Sequence, residues 1–165
     1  VRIVPLAGER RHWREAAEVS YETWHHEFPD DTVATYLDQY TLAADPGDRL
    51  VEVHAALSDD DELLALATLI DDDELPGVTE PGPWLAAVWV RPDARGQGIG
   101  GEIVAHVTSR AAELGLDRLF LYTEDRADWY ASKGWRRIRE ASLNELPVTV
   151  MSIEPRSRGA EPSAT

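Results

Sequence analysis

The chain reads as an α/β domain around a mixed sheet, and three observations predict it. Apolar runs of strand length, "ELLALATLI" at 62–70, "WLAAVWV" at 84–90 and "RLFLYT" at 118–123, alternate with stretches whose apolar residues recur every three or four positions. Turn chemistry separates them: "DPGD" at 45–48, the acidic Asp59–Asp61, and a Pro/Gly-rich loop at 71–83. The resulting order is strand, two helices, three strands, helix, strand, helix, two strands, which suits a mixed sheet flanked by helices. At 165 residues the chain fits one domain.

Each element has its own reason. "VRIVPL" opens the domain as a short strand. From Glu9 onward, Trp13, Ala17, Tyr21, Trp24 and Phe28 recur at helical spacing until Pro29 stops the run. Asp31 is placed to cap a second helix, with Val33, Tyr36, Leu37 and Tyr40 along one face. "RLVEVHAALS" and "ELLALATLI" form two strands joined by the acidic turn. "WLAAVWV" is apolar throughout, as in a central strand buried on both faces. Ile99, Ile103, Val107, Ala111 and Leu114 then trace a third helix that Gly115 ends, with His106 beside its apolar stripe and expected at the surface. "RLFLYT" is another buried strand, and "DRADWYASKG" a short helix closed by Gly134. "WRRIREASL" and "PVTVMSI" pair around Asn144–Glu145. The domain is expected to occupy 1–154, and "PRSRGAEPSAT" at 155–165 to be a disordered tail.

Sixteen basic residues against thirty-one acidic ones give a net charge of −15. That field repels a phosphodiester backbone, so nucleic acid is not expected as a partner and a cationic small molecule is easier to accommodate. No apolar run approaches a membrane span, and no membrane partner is expected. With no cysteine there is neither a disulfide framework nor a thiolate nucleophile. The first ten residues lack the shape of a secretory signal, and a cytoplasmic protein is expected.

Chemistry concentrates in "VWVRPDARGQGIGG", where Gly96, Gly98, Gly100 and Gly101 crowd between a strand and a helix. A P-loop requires Lys-Ser/Thr after the last glycine, whereas Glu102 and Ile103 follow here. Gly96-x-Gly98-x-x-Gly101 satisfies the dinucleotide fingerprint literally, and Glu124 and Asp125 end the next strand, where a ribose-binding acid belongs. Against an oxidoreductase of that type, "RPDAR" separates strand from glycines, and only one helix and a hairpin follow. A plain tight connection would need only one or two glycines. Small residues let successive backbone N–H groups turn inward, the next helix aims its positive end at the same place, and Arg95 adds a charge. Such a loop suits a pyrophosphate.

Val88-x-Val90 followed by Arg95-Gly96-Gln97-Gly98-Ile99-Gly100 resembles the signature of the GCN5-related N-acetyltransferase (GNAT) superfamily, an Arg or Gln, two residues, Gly, one residue, then Gly or Ala. A second segment, Trp129-Tyr130 with Gly134-Trp135, resembles the family's other motif; where many members carry Asn seven residues before the Tyr, this chain has Thr123. The resemblance implies the GNAT fold: a mixed six- to seven-stranded sheet with about four helices, whose central strands splay to admit acyl-CoA. It implies acetyl-CoA as co-substrate and no metal. Val88, Val90, Arg95, Gly96, Gln97, Gly98, Ile99, Gly100, Gly101, Thr123 and Tyr130 would then contact the cofactor, and a backbone N–H near Val88 or Val90 would stabilise the oxyanion. Tyr130 would be the general acid that protonates the departing thiolate. The acceptor would be a primary amine of a small, cationic molecule or a peptide, attacking directly. Homodimers are common in the family, but no residue here specifies an interface.

The base that deprotonates the amine is open. Some relatives carry a Glu on the fourth strand, but "WLAAVWV" has none. His25, His26 and Glu27 at the end of the first helix and His54 on the second strand are candidates, as is a water-mediated base. Trp24 and Phe28 would wall the acceptor cleft. Neighbouring histidines on a helix point apart and their spacing supplies no third ligand, which argues against a metal. The missing strand carboxylate also admits a CoA-binding sensor or partner-binding module without catalysis.

Overall fold

The computed structural model describes residues 1–156. Its strands are β1 (Arg2–Pro5), β2 (Val51–Leu57), β3 (Leu63–Ile70), β4 (Trp84–Val90), β5 (Leu119–Thr123), β6 (Arg136–Leu143) and β7 (Leu146–Ile153). Its α-helices are α1 (Trp13–Trp24), α2 (Val33–Ala44), α3 (Ile99–Glu113) and α4 (Ala127–Ser132). The order of elements is the one read from the sequence. The tail expected from 155 lies, from residue 157 onward, outside the described residues.

All seven strands form one sheet in the order β1-β2-β3-β4-β5-β7-β6. Only β4 and β5, joined through α3, run parallel; every other pair is antiparallel. Alternation along the strands divides the core between two faces. Val53, Ala55, Leu57 and Leu66 pack with Trp13 of α1 and Tyr40 of α2. Ala56, Ala65, Ala67 and Leu69 pack with Ile103, Val107 and Ala111 of α3. Covered on both faces, β3 is buried along its whole length, which explains its unbroken apolar run.

The first helical segment differs from expectation in detail. Two short 3₁₀ turns at Leu6–Gly8 and Arg10–His12 precede α1, and Trp13 anchors them by donating its indole N–H to the Leu6 carbonyl at 2.7 Å. The buried face is Trp13, Ala16, Ala17 and Ser20, so Tyr21 is exposed and Ser20 instead meets the Tyr40 hydroxyl at 3.5 Å. Thr32, not Asp31, caps α2: its backbone is extended and its N–H donates to Thr35 Oγ1 at 2.9 Å. His106 is half-buried, its ring edge-on to His54 with centroids 5.1 Å apart. At the end of α3, Gly115 takes φ +75°, and Leu116 N–H returns to the Ala111 carbonyl at 3.1 Å.

One ion pair ties the two halves of the sheet. Glu80, in the loop before β4, receives Arg139 of β6 on both carboxylate oxygens at 2.7 and 3.0 Å. The Glu80 side chain is only 7% exposed, and the Arg139 guanidinium holds its carboxyl down at about 2.

Candidate active site: a cleft between parted strands

β4 departs most from its expected burial. Ala86, Ala87, Val88 and Val90 are only half-buried, because β4 and β5 meet at a single register position, Trp84 opposite Phe120. There Phe120 N–H still reaches the Pro83 carbonyl at 3.0 Å; beyond it the strands part. A bulge drives the divergence. Pairing with β3 jumps from Thr68–Ala86 to Leu66–Trp89, so Ala87 and Val88 face one residue, Ala67. Ala87 carries φ +52°, a conformation that costs an alanine about 1–2 kcal/mol. Strain of that kind persists where surrounding structure enforces it, and here it turns the backbone of residues 87–90 toward a cleft of about 670 Å³.

One end of the cleft is built for an anion. Gly98 is the N-cap of α3 at φ +82° with no side-chain cap, so the amides of Ile99, Gly100 and Gly101 have no acceptor within the helix. Gly96 and these four residues line the cleft. The small residues matter for approach: a Cβ on Gly100 would lie 3.3 Å from Val90 Cγ2, and one on Gly101 3.3 Å from Lys133 Nζ. Arg95 donates Nε to the Val90 carbonyl at 3.1 Å, clamping the loop to the strand end. Lys133, the chain's one lysine, stands over the Trp129 ring at 5.6 Å and faces both the cleft and an adjoining groove of about 600 Å³. Arg118, Arg136 and Arg156 line that groove as well, and among the described residues none of these four cations has a carboxylate partner. Uncapped amides, a glycine cradle and unpaired cations together fit the pyrophosphate of coenzyme A.

The other end is acidic and aromatic. Trp24 and Phe28 line it as expected, with Tyr36 and Tyr122 opposite. Glu27, Asp31, Asp73, Glu74, Glu124 and Asp125 bring six carboxyl groups to the cleft lining, with Glu124, Asp125 and Asp73 close enough to Glu27 to feel its charge or act on it. Burial, reinforced by the Glu124 charge, lifts the Glu27 carboxyl to about 7. Lost hydration likewise holds Asp73 well above the ordinary carboxylate range. His26 Nε2 lies 2.8 Å from Glu124 Oε2, a contact that raises the imidazole. Asn144, at the tip of the β6–β7 turn, donates Nδ2 to the Glu27 carbonyl at 2.5 Å and holds the segment after α1 against the cleft. Between the ends stands Tyr130, 8% exposed, edge-on to Trp129 and Trp135. Burial raises its hydroxyl, which therefore stays protonated.

The structure thus brings most of the expected site residues together, Val88, Val90, Thr123 and Tyr130 among them. Three stand apart. His54 is buried on the α3 face, bonded to Glu52 at 3.1 Å, because its position on β2 alternates away from α1 and α2. His25 turns outward, bonded to the Tyr21 carbonyl at 3.0 Å and stacked on the Tyr21 ring. Gln97 projects outside the cleft lining. Thr123 already accepts the Arg126 N–H at 3.0 Å, leaving its hydroxyl hydrogen to donate. Asp73 comes from the acidic run at 71–74, whose charge in the sequence already favours a cationic acceptor. Lys133, Tyr122 and Asn144 are further residues of the site, and of these only Lys133, three residues after Tyr130 on the same short helix, has a local signal. Glu124, which the dinucleotide fingerprint would make a ribose ligand, joins His26 from 98 residues away, a partner that sequence spacing does not reveal.

Comparison with known proteins agrees. The family model described as acetyltransferase (GNAT) family matches residues 11–133. An amino-acid acetyltransferase from Neisseria meningitidis serogroup A / serotype 4A is 34% identical over 65 residues, 39% of this chain and 14% of that protein. The chain therefore spans about one-seventh of the length of that relative. The crystal structure of aminoglycoside 6'-acetyltransferase type Ii superposes with a TM-score of 0.73 at 17% identity, covering 98% of this chain and all of that one. Spermidine N-acetyltransferase from Vibrio cholerae, in complex with CoA and spermine, gives 0.71 at 13% identity over 93% and 95% of the two chains. At those identities the likeness is one of fold. No helix among the described residues is long and apolar enough to cross a membrane.

Proposed function

The chain belongs to the acetyltransferase (GNAT) family, and on that premise we propose that it transfers an acetyl group from acetyl-CoA to a primary amine of a small, cationic molecule or a cationic peptide. The dinucleotide reading is set aside, since the sheet holds one parallel pair where a dinucleotide fold needs a parallel array. One observation carries the proposal: the cleft is electrically divided, with cations and free helix amides at one end and six carboxyl groups at the other. A phosphate-rich donor and an ammonium-bearing acceptor fit that division, whereas a carboxylate-bearing amine would be repelled from the acceptor end.

Between the ends, the backbone of Val88 or Val90 offers an N–H to the thioester carbonyl oxygen as charge develops there. The amine attacks the carbonyl carbon directly, and Tyr130 gives its proton to the departing thiolate. A thiol of pKa near 8.5 leaves without much assistance. Tyr130→Phe, which keeps the ring and removes the acid, is therefore expected to lower kcat by about 100-fold, the modest end of acid catalysis, with a much smaller change in CoA affinity by calorimetry. Wild-type turnover in that variant removes Tyr130 from the mechanism.

Thiol release from acetyl-CoA, followed across di- and polyamines, aminoglycosides, basic and acidic amino acids and peptides, tests the whole reading. The highest kcat/KM is expected with polycations, falling as salt screens the cleft. Fastest turnover of neutral or acidic amines overturns the acceptor assignment. CoA binding without thiol release from any amine identifies instead a CoA-binding module without catalysis.

A further inference from the structure

We infer that Glu27, Glu124 and His26 act as one proton-handling unit, in which Glu27 takes the proton from the incoming ammonium and the Glu124–His26 pair carries it to solvent. The inference rests on the acetyl-transfer reading and assigns the base that reading leaves open. Its footing is geometric. The three side chains come from the turn after α1 and the end of β5, and their polar atoms lie within 4.8 Å of one another. They form a gradient of exposure: Glu27 is 8% exposed and faces the cleft, whereas the His26 side chain is 49% exposed at the rim. Glu124 Oε2 lies 2.8 Å from His26 Nε2, which is itself 3.8 Å from Glu27 Oε1, so the two carboxyl groups flank one imidazole nitrogen. A buried acceptor, a shared intermediate and a solvated outlet are what moving a proton out of a closed cleft requires. β4 supplies no carboxylate for the task, and His25 and His54 are turned elsewhere.

The bookkeeping of protons closes. The acceptor arrives as an ammonium and gives one proton to the Glu27 carboxylate, which frees the nitrogen lone pair. The C–N bond forms, the C–S bond breaks, and the thiolate takes the Tyr130 proton. The second proton lost by the nitrogen restores Tyr130, and the Glu27 proton leaves through Glu124 and His26 to water. One proton is released per amide formed.

The surroundings favour a base that works near neutrality. The charged and titratable groups facing Glu27 are Glu124 and Asp125 after β5, Asp73 before β4, Tyr36 on α2, Tyr122 on β5, and His26 beside it. Of these, the Glu124 and Asp125 charges disfavour its negative charge, whereas His26, when protonated, favours it. This predicts opposite responses from two neighbours, which a merely structural role would not produce.

The test is kcat/KM for a saturable amine against pH, at saturating acetyl-CoA. Glu27→Gln is expected to lower it by about 10²–10³-fold and to abolish the acidic limb. Glu124→Gln, which removes a like charge, is expected to move that limb down by about one pH unit, and His26→Gln to move it up. CoA affinity at the wild-type value certifies that each variant is folded. An unmoved limb in both, shifts of the same sign, or full turnover in Glu27→Gln overturns the inference while acetyl transfer stands. A wild-type protein that binds CoA but acetylates no amine overturns both.

Discussion

Gly98→Val is expected to weaken CoA binding about 100-fold. Gly98 caps α3 at φ +82°, a left-handed conformation that costs a branched residue about 1–2 kcal/mol. The added side chain meets no protein atom within 4 Å, and Gly98 is part of the cleft lining, so the extra bulk is expected to fall on the ligand's side of the loop. It therefore holds the pyrophosphate away from the first amides of α3. Hydrogen bonds to a charged group are each worth about 1.5–3 kcal/mol, so losing one or two accounts for the factor. Gly115→Val separates strain from obstruction: its φ is +75° in equally open space, at the other end of the same helix. That variant should lose stability while keeping its CoA affinity in calorimetry. Equal losses of affinity in both variants would mean that backbone strain, and not the donor site, sets the effect.

Arg139→Ala is expected to destabilise the fold by about 2–3 kcal/mol, below the roughly 3–5 kcal/mol cost of breaking a fully buried pair, since Arg139 is itself partly exposed. The pair joins the loop before β4 to β6, across the line where β4 and β5 share a single register position and the two halves of the sheet are held mainly by side-chain packing. The same pair predicts a pH response. Glu80 titrates at about 2 in the folded chain, against roughly 4.3 when unfolded. Its contribution is thus fully present above the unfolded value and is lost as pH falls from about 4 toward 2. Chemical denaturation at pH 7 and pH 3 should show the gap between wild type and Arg139→Ala narrowing on acidification; a constant gap would assign the stabilisation to packing of the Arg139 stem.

Much of this was legible in the sequence because its signals are local. Alternation between apolar runs and helical spacing yields the element order, and Gly115 and Gly134 mark helix ends. The glycine loop and the Trp129-Tyr130 segment each carry their motif within a few residues. The acceptor end is not local. Glu27, Asp73, Glu124 and Asn144 come from four different connections, and only the folded sheet brings them together. The continuous apolar run of β4 also concealed its half-exposure, since a strand beside a ligand cleft and one buried in a core can share a composition. Two faces of α1 competed as well, and spacing alone could not choose Ser20 over Tyr21.

The bulge at Ala87 has a bearing on solubility. Parting β4 from β5 leaves two rows of unpaired peptide groups in the middle of a sheet, the kind of template that recruits strands from other molecules. Here both rows lie recessed between α3 and α4, and the kink at Ala87 bends one of them out of the straight, flat form a foreign strand needs. A slender, chain-like molecule can enter where a polypeptide edge cannot. The same distortion that opens the cleft thus removes the straight, flat edge on which a foreign strand would pair.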